Sequence, residues 1–133
     1  MIIGLGNDIC DSKRINRTLE RFGRRFLERI FSEKEQASCN RRLRRSECYA
    51  RRFAAKEALS KALGTGFRKG VFWRDISVVS LPGGKPTIFL TGGALSRLHT
   101  MVPDGFEPHI DLSLSDDGGL ACAIVIISAV AKQ

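Results

Sequence analysis

The chain has 133 residues, of which 43% are hydrophobic and 27% are charged, a composition typical of one globular domain. Its 22 lysines and arginines exceed the 14 acidic residues, and the net charge of +8 favours a polyanionic partner. Nucleic acid, a phosphorylated small molecule, an anionic membrane and an acidic protein all fit that description. The longest apolar stretch, 120–130, is interrupted only by Ser128; it is too short to cross a bilayer and predicts a buried strand.

The start of the chain predicts a strand followed by an amphipathic helix. The apolar residues 1–5 predict the strand, and Asn7 and Asp8 lie where the chain leaves it. Apolar residues recur at three- and four-residue spacing through 13–31, which predicts a helix with one buried face. Another face of this helix carries a stripe of arginines: Arg14, Arg17, Arg21, Arg24 and Arg25. The stripe fits a solvated face or, because like charges repel one another, an acidic partner.

Two further helices are predicted in the first half of the chain. Ser32 and Glu35 match a capping box, which indicates that a new helix begins there. Arginines crowd the end of that helix at positions 41, 42, 44 and 45. A third helix is predicted from 47–63, and Gly64 lies where a glycine commonly follows the end of a helix.

The second half of the chain predicts hairpins. The predicted elements are strands at 76–81 and 87–90 joined by the turn 82–86, a short helix at 91–100, a loop at 102–108, and strands at 110–114 and 121–127 joined by the turn 116–119. No internal repeat or long linker divides the chain. The sequence therefore predicts a single domain, 1–133, of the α+β class, with helices mainly in the first half packed on an antiparallel sheet of hairpins.

The four cysteines, Cys10, Cys39, Cys48 and Cys122, form no CxxC pair, and the histidines do not lie at zinc-finger spacing from them. The apolar residues 1–5 are too few for the hydrophobic region of a secretory signal. The expectation is therefore a cytoplasmic protein with reduced thiols.

Three charged residues each carry two interpretations. An Asp that follows a strand, such as Asp8, is commonly a turn residue or a helix cap. Glu57 lies four residues before Lys61, which is the favoured arrangement of a helical ion pair worth about 0.2–0.5 kcal/mol. Lys56, beside Glu57, fits a solvated face. The alternative is that the carboxylates are metal ligands and that Lys61 is a phosphate-binding cation.

The sequence resembles a known family in four segments taken together. These are Gly6-Asn7-Asp8-Ile9 followed by Arg14-Ile15, Arg52-Phe53-Ala54-Ala55-Lys56-Glu57-Ala58 followed by Lys61, Gly64-Thr65-Gly66, and Gly84-Lys85-Pro86. With the closing Ala121-Cys122-Ala123, they resemble the holo-[acyl-carrier-protein] synthases, the short bacterial-type 4'-phosphopantetheinyl transferases. The match runs almost the full length in the family's order, and the first two segments are specific as a pair.

The resemblance implies a reaction and its participants. The 4'-phosphopantetheine group is transferred from coenzyme A to a serine of apo acyl carrier protein, which releases adenosine 3',5'-bisphosphate and supports fatty acid biosynthesis. The cofactor is Mg²⁺, and family members of this short type form trimers with active sites between subunits. Coenzyme A and the acidic carrier protein then account for the basic surplus, so neither nucleic acid nor a membrane is expected as a partner.

The resemblance also implies roles for individual residues. Asp8 and Glu57 would be catalytic and would bind Mg²⁺, and Lys61 would be catalytic through contact with the coenzyme A phosphates. Glu57, or a metal-bound water that it orients, would take the serine proton. Coenzyme A would be bound by Arg45, Arg52, Lys61, Gly64, Gly84, Lys85 and Pro86. The carrier protein would be bound by Arg14, Arg21 and Arg25.

The sequence departs from the family pattern before the last strand. Where the family usually has a histidine, this sequence has Asp111, and His109 lies two residues earlier. Positions 109 and 111 share one face of a strand, so His109 is a possible substitute. An aspartate would repel a phosphate, so the departure leaves part of the implied contact to the 3'-phosphate open.

Two rival functions fit parts of the sequence. A non-enzymatic RNA-binding domain fits the +8 charge and the arginines at 41–45, but Asp8 and Glu57 would weaken phosphate binding in the absence of a metal. A carrier-binding module that has lost catalysis fits the arginine stripe. It gives no reason for the presence of Asp8, Glu57 and Lys61.

Overall fold

The structure, a computed structural model, describes residues 1–133. Its elements in chain order are β1 (Ile2–Asp11), α1 (Ser12–Phe22), α2 (Arg24–Ile30), α3 (Glu33–Asn40), α4 (Arg45–Ala62), a 3-10 turn (Trp73–Asp75), β2 (Ile76–Ser80), β3 (Pro86–Leu90), α5 (Gly92–Met101), β4 (Phe106–Asp117) and β5 (Leu120–Ala131). The predicted α+β class, with its helices mainly in the first half, is confirmed. None of the helices is both long and apolar enough to cross a membrane.

The strands form two separate antiparallel sheets. β1, β5 and β4 make a three-stranded sheet in the order β1-β5-β4, and β2 pairs only with β3. Asp8 on β1 lies opposite Ala123 on β5, and residues alternate between a face turned to the helices and a face turned outward. The central strand β5 buries Val125 and Ile127 on its inner face, where they join the core.

The long helix α4 packs across the inner face of the three-stranded sheet. Most of its side chains are buried, and many of them are alanines: Ala50, Ala54, Ala55, Ala58 and Ala62. Alanine favours the helix and leaves room for close neighbours. The helix ends just before Gly64, whose φ of +78° lies in the left-handed region, so the predicted end is confirmed to within a residue.

Two glycines let β1 approach α4 closely. A Cβ at Gly6 would overlap the carbonyl oxygen of Ala58, and one at Gly4 would overlap that of Ala62. Any side chain at these positions would push the strand away from the helix. The contact brings the part of β1 that carries Asp8 against the solvent-facing edge of α4.

Several element bounds differ from the sequence prediction. The helix predicted over 13–31 is two helices, because Gly23 adopts a φ of +54° and donates its N–H to Leu19 O at 2.8 Å, which ends α1. The loop predicted over 102–108 overlaps the start of β4 at Phe106. β1 also continues to Asp11, since its residues pair with β5 as far as Leu120.

A buried ion pair ties three helices to the β2–β3 hairpin. The Nζ of Lys56 on α4 lies 2.6 Å from Glu35 Oε1 on α3, and both side chains are completely buried. Lys56 also donates to the carbonyl of Ile30, and Glu35 accepts from the N–H of Val78 on β2. Burial lowers the pKa of Lys56, and the Glu35 charge opposes that effect. The interpretation of Lys56 as part of a solvated face is therefore wrong.

The expectation of four free thiols is also wrong. Cys39 on α3 and Cys48 on α4 form a disulfide with their Cα atoms 5.5 Å apart. The pairing was not predictable from a CxxC motif, because the two cysteines lie nine positions apart. Cys10 and Cys122 are free, and burial raises the pKa of the Cys10 thiol to about 11, which suits a packing role.

Candidate active site

The contact between β1 and α4 brings together the charged residues that the sequence singled out. Lys61 Nζ lies 3.0 Å from Asp8 Oδ1 and also donates to the backbone carbonyl of Asn7 at 3.0 Å. Lys61 therefore pairs across to the strand, and it forms no ion pair with Glu57 on its own helix. The local ion pair that the spacing favoured is not made.

Glu57 is half-buried beside this pair. Burial raises the pKa of its carboxyl, and the neighbouring Asp8 charge raises it further, while Lys61 and Arg14 act in the opposite direction. The two carboxylates thus lie close enough to repel each other. A cation bound between them would relieve that repulsion, and a proton on Glu57 would do the same.

The donor set fits magnesium better than a metal held by protein alone. No group of three or more His, Cys, Asp and Glu side chains is arranged to hold a metal ion. Mg²⁺ commonly takes one or two carboxylates and completes its shell with substrate phosphates and water. Asp8 and Glu57 supply that number of carboxylates, and Glu57 lines an open cleft.

The cleft beside Glu57 has a volume of about 540 Å³ and combines cations with aromatic side chains. It is lined by Arg14, Thr18, Phe22, Arg25, Phe26, Arg29, Ile30, Phe53, Glu57 and Trp73. Two of the arginines predicted to bind a carrier protein, Arg14 and Arg25, therefore share a cleft with Glu57. The third, Arg21, is exposed outside it, with its guanidinium 5.0 Å from the centre of the Phe22 ring.

Sequence reasoning missed Arg29 and Trp73 in this cleft. Arg29 belongs to the same basic helical segment as the arginine stripe, so its charge was the available signal. Trp73 gave no signal, because it follows a glycine-rich loop and reaches the cleft only through tertiary packing. Its ring stacks on those of Phe67 and Phe53 with centroids 3.6 and 4.9 Å away.

A second cavity, of about 320 Å³, lies between α4 and the β2–β3 hairpin. Its lining consists of Arg42, Cys48, Arg51, Arg52, Val78, Val79, Ser80, Gly84, Pro86, Leu114 and Asp116. Three of the residues predicted to bind coenzyme A, namely Arg52, Gly84 and Pro86, meet here. Sequence reasoning missed Arg42 and Arg51 as lining residues; Arg51 forms an ion pair with Asp116 at 3.2 Å.

Arg52 is built into the wall of this cavity. Only 7% of the residue is exposed, and its guanidinium donates to the carbonyl of Val78, to Ser38 Oγ at 3.1 Å and to Cys39 Sγ at 3.2 Å. Burial lowers the pKa of Arg52, the Glu35 charge raises it, and the nearby Arg42 and Arg51 lower it. The structure thus gives this arginine a supporting position under the cavity.

The other residues predicted to bind coenzyme A lie outside the second cavity. Lys85 is exposed at the tip of the β2–β3 turn, between two lining residues. Arg45 begins α4 and donates to Asn40 Oδ1 at 3.1 Å. Gly64 follows α4 near the Arg97 guanidinium, and Lys61 remains at the site with Asp8.

Asp111 and His109 lie on the outward face of the three-stranded sheet. Both are exposed, and His109 Nε2 is 3.5 Å from Asp111 Oδ1, which places them on one face of β4. Asp8 is on the inner side of the same sheet. These two side chains therefore do not approach Glu57 of the same chain.

Comparison with known proteins gives the family. The model of the 4'-phosphopantetheinyl transferase superfamily matches residues 4–125. A holo-[acyl-carrier-protein] synthase of Xanthobacter autotrophicus is 61% identical over 132 residues, which cover 99% of this chain and 98% of the relative. The chain belongs to the holo-[acyl-carrier-protein] synthase family. It is a transferase of that family.

Solved members of the holo-[acyl-carrier-protein] synthase family share the fold. The Neisseria meningitidis structure has a TM-score of 0.83 at 37% identity and covers 96% of this chain and 99% of that one. The Helicobacter pylori structure, solved in complex with coenzyme A, has a TM-score of 0.79 at 33% identity and covers 93% and 99%. The first of these matches confirms the α+β architecture over nearly the whole chain.

Proposed function

We propose that the protein transfers 4'-phosphopantetheine from coenzyme A to a serine of apo acyl carrier protein, with Mg²⁺, and so releases adenosine 3',5'-bisphosphate. The observation that carries the proposal is the meeting of Asp8, Glu57 and Lys61 where β1 crosses α4. The coenzyme A found in the Helicobacter pylori relative supports the donor. Fatty acid biosynthesis in the cytoplasm is the corresponding role.

Asp8 and Glu57 are proposed as the two protein ligands of Mg²⁺. The ion, when bound with the pyrophosphate of coenzyme A, would neutralise charge that develops on the phosphate oxygens. Lys61 lies 3.0 Å from Asp8 and half of its side chain is exposed, so its ammonium can turn to the same phosphates. Its charge there stabilises the leaving adenosine bisphosphate.

Glu57 is also proposed to receive the serine proton, directly or through a water that it orients. A general base works best when its pKa lies near the operating pH. Burial and the Asp8 charge raise the pKa of Glu57 in that direction. The serine oxygen then forms its bond to phosphorus as the bond to the leaving phosphate breaks.

The two substrates, the carrier protein and coenzyme A, bind to separate surfaces in this proposal. Arg14, Arg21 and Arg25 are exposed on α1 and α2, where they offer positive charge to an acidic carrier protein. Arg14 and Arg25 border the cleft that contains Glu57, so a carrier docked there has its serine near the base.

The nucleotide end of coenzyme A is assigned to the second cavity and its surroundings. Arg52, Gly84 and Pro86 line that cavity, and Lys85 lies beside it. The proposed contacts are completed by Arg45 at the start of α4 and by Lys61 and Gly64 at its end, of which Lys61 contacts Asp8. The absence of a side chain at Gly84 lets the turn approach a ligand through its backbone.

A homotrimer is proposed from the outward face of the three-stranded sheet. Leu5, Ile9 and Ile124 are 65%, 62% and 48% exposed on that face, with Ile126 paired opposite Leu5. An apolar surface of this kind commonly marks a protein interface. His109 and Asp111 lie on the same face and would therefore meet a neighbouring subunit.

The test is mass spectrometry of apo acyl carrier protein incubated with coenzyme A, Mg²⁺ and the protein. We expect the carrier to gain the mass of phosphopantetheine, and we expect Glu57→Gln and Asp8→Asn to reduce the rate by about 10²-fold or more. Glu33→Gln, exposed at the start of α3, is the matched control. A carrier that both site variants modify at the wild-type rate would refute the metal-site assignment.

A further inference from the structure

The disulfide lies at the boundary of the second cavity. Cys39 lies next to the last residue of α3 and Cys48 lies in the first turn of α4, so the bond closes the exposed basic loop between the two helices, 41–44. Cys48 lines the cavity, and Cys39 Sγ accepts a hydrogen bond from Arg52 Nε at 3.2 Å. One cysteine therefore lines the cavity assigned to the nucleotide end of coenzyme A, and the other contacts an arginine of its wall.

We propose that Cys39 and Cys48 are a redox-active pair, and that reduction by a small or protein dithiol weakens the binding of coenzyme A. This inference rests on the proposed function, because the second cavity is taken to receive the nucleotide end of that substrate. In proteins of a reducing compartment, disulfides are commonly transient and redox-sensing.

Charge in the cavity depends on the state of the sulfurs. Arg42, Arg51 and Arg52 line it, whereas Asp116 is the one acid in the lining and is already paired with Arg51. In the disulfide neither sulfur carries charge, so the two cysteines add no negative charge to a lining whose net charge is positive. That state favours an anionic phosphate or nucleotide.

Exchange with a dithiol has a defined direction in this structure. The incoming thiolate attacks Cys48 Sγ, which borders the cavity, and the electron pair of the broken S–S bond stays on Cys39 Sγ beside the Arg52 guanidinium. A nearby guanidinium stabilises a thiolate and so favours Cys39 as the leaving group. The second thiol of the reductant then displaces Cys48, which takes up a proton, and the reductant departs as a disulfide.

Access to the bond requires movement of the loop that it closes. Cys39 and Cys48 are 0% and 2% exposed, so no reductant reaches them in the closed structure. The loop itself is exposed along its length, and Leu43 in its centre makes almost no contact with the rest of the chain. Local opening of such a segment costs less than global unfolding.

Reduction then has two effects on coenzyme A binding. A Cys39 thiolate forms an ion pair with Arg52 and cancels part of the positive charge of the cavity. Loss of the bond also releases the basic loop from α4. We expect the dissociation constant of coenzyme A to rise about three- to tenfold on reduction, which corresponds to the loss of one charge-assisted contact.

The experiment is titration calorimetry of coenzyme A into the full chain, before and after treatment with dithiothreitol. The number of free thiols is counted in parallel by alkylation and mass spectrometry. Cys48→Ser is expected to bind as weakly as the reduced protein and to ignore dithiothreitol. Cys122→Ser is the matched control and is expected to keep the redox response, because its thiol is not part of the pair.

The outcomes separate this inference from the proposed function. Equal coenzyme A affinity in the oxidised and reduced protein, or failure of the two thiols to form a bond under mild oxidation, would overturn the inference. Redox-dependent binding without transfer to apo carrier protein would support it while refuting the proposed reaction. Cys39→Ser further distinguishes the two effects, since it frees the loop without creating a thiolate beside Arg52.

Discussion

Helix α4 contributes to two groups of charged residues that differ in burial and in pairing. One is the buried pair of Lys56 and Glu35, and the other is the open group of Glu57, Lys61 and Asp8. Lys56 and Glu35 are completely buried, joined at 2.6 Å, and bonded to backbone groups on both sides. Glu57, the next residue on the helix, is half-buried and has no ion-pair partner. After burial, the charge of Asp8 has the largest effect on its pKa, and it repels the Glu57 carboxylate. Lys61 is half exposed and holds Asp8 at 3.0 Å.

The contrast shows why neighbouring residues of one motif have different roles. A buried pair whose donors and acceptors are all used holds elements of the fold in place. A carboxylate that is repelled by a neighbouring negative charge can still bind a cation or a proton. Lys56 is thus part of the scaffold, and Glu57 is part of the proposed chemistry, although they are adjacent in the sequence.

Removing one member of the buried pair tests the contrast most strongly. We expect Lys56→Met to lower the free energy of unfolding by about 3–5 kcal/mol, because Glu35 is left charged in the interior without its partner. Urea unfolding followed by circular dichroism measures the change. Lys61→Met is the matched control and should change it by less than about 1 kcal/mol, since its ammonium is half exposed.

A double variant separates charge from packing at the same site. We expect Lys56→Met with Glu35→Leu to be more stable than Lys56→Met alone, because no isolated charge remains. Similar losses for Lys56→Met and Lys61→Met would show that the two lysines do not differ as the structure indicates.

Moving β1 away from α4 should affect the open site more than the buried pair. Gly6→Ala places a methyl group against the Ala58 carbonyl, so we expect a loss of about 1–3 kcal/mol in stability. Transfer should fall further than stability accounts for, since Asp8 shifts relative to Glu57. Carrier modification by the folded variant measures this effect. Ser96→Ala, at an exposed position on α5, is the control; equal rates for both variants would contradict the prediction.

Reversing the charge of Arg14, at the cleft beside Glu57, tests whether the carrier protein docks there. We expect Arg14→Glu to raise KM for the carrier protein about tenfold, because an exposed cation beside Glu57 becomes an anion facing an acidic partner. KM for coenzyme A should stay within about twofold. Steady-state kinetics with each substrate varied gives both constants, and Arg68→Glu, an exposed arginine outside the stripe, is the control. A larger effect on coenzyme A would remove Arg14 from the docking surface.

The smallest expected effect is the loss of protein stability caused by the ionised Glu57 carboxylate. Because burial raises its pKa in the folded state, the folded protein binds this proton more tightly than the unfolded chain does. The associated stability is present below the unfolded pKa and is lost as pH rises through the higher folded pKa. Glutamine carries no charge at any pH. We therefore expect Glu57→Gln to have a higher Tm than the wild type at pH values above the folded pKa of Glu57, and the same advantage to disappear below the unfolded pKa.

Thermal unfolding of the two proteins across acidic and neutral pH measures this difference. Glu33→Gln at an exposed position serves as the control. A Tm difference between Glu57→Gln and the wild type that does not change with pH would contradict the prediction.

Local patterns in the sequence predicted the elements but only part of the site. α4, the capping box at Ser32 and the β2–β3 hairpin follow from periodicity and turn chemistry, and the structure confirms them. The resemblance grouped Asp8, Glu57 and Lys61, and the fold brings them together. Their distance apart depends on Gly4 and Gly6, whose close contact with α4 no local rule reveals.

What the sequence did not predict depends on contacts between distant segments. The capping box gives Glu35 a local role, so nothing in the local sequence indicated that its carboxylate also binds Lys56. Gly23 lies inside a continuous apolar pattern, and only its positive φ divides the helix. The pairing of Cys39 with Cys48 requires α3 and α4 to pack side by side, which spacing alone cannot show.

The position of β1 in the sheet has a consequence for synthesis of the protein. β1 is an edge strand that pairs only with β5, and Met1 exchanges backbone hydrogen bonds with Ala129. The strand that carries Asp8 is therefore synthesised well before the strand with which it pairs, since Asp8 lies opposite Ala123. Pairings so distant in sequence form slowly. The sheet that carries Asp8 is therefore completed only after β5 has been synthesised.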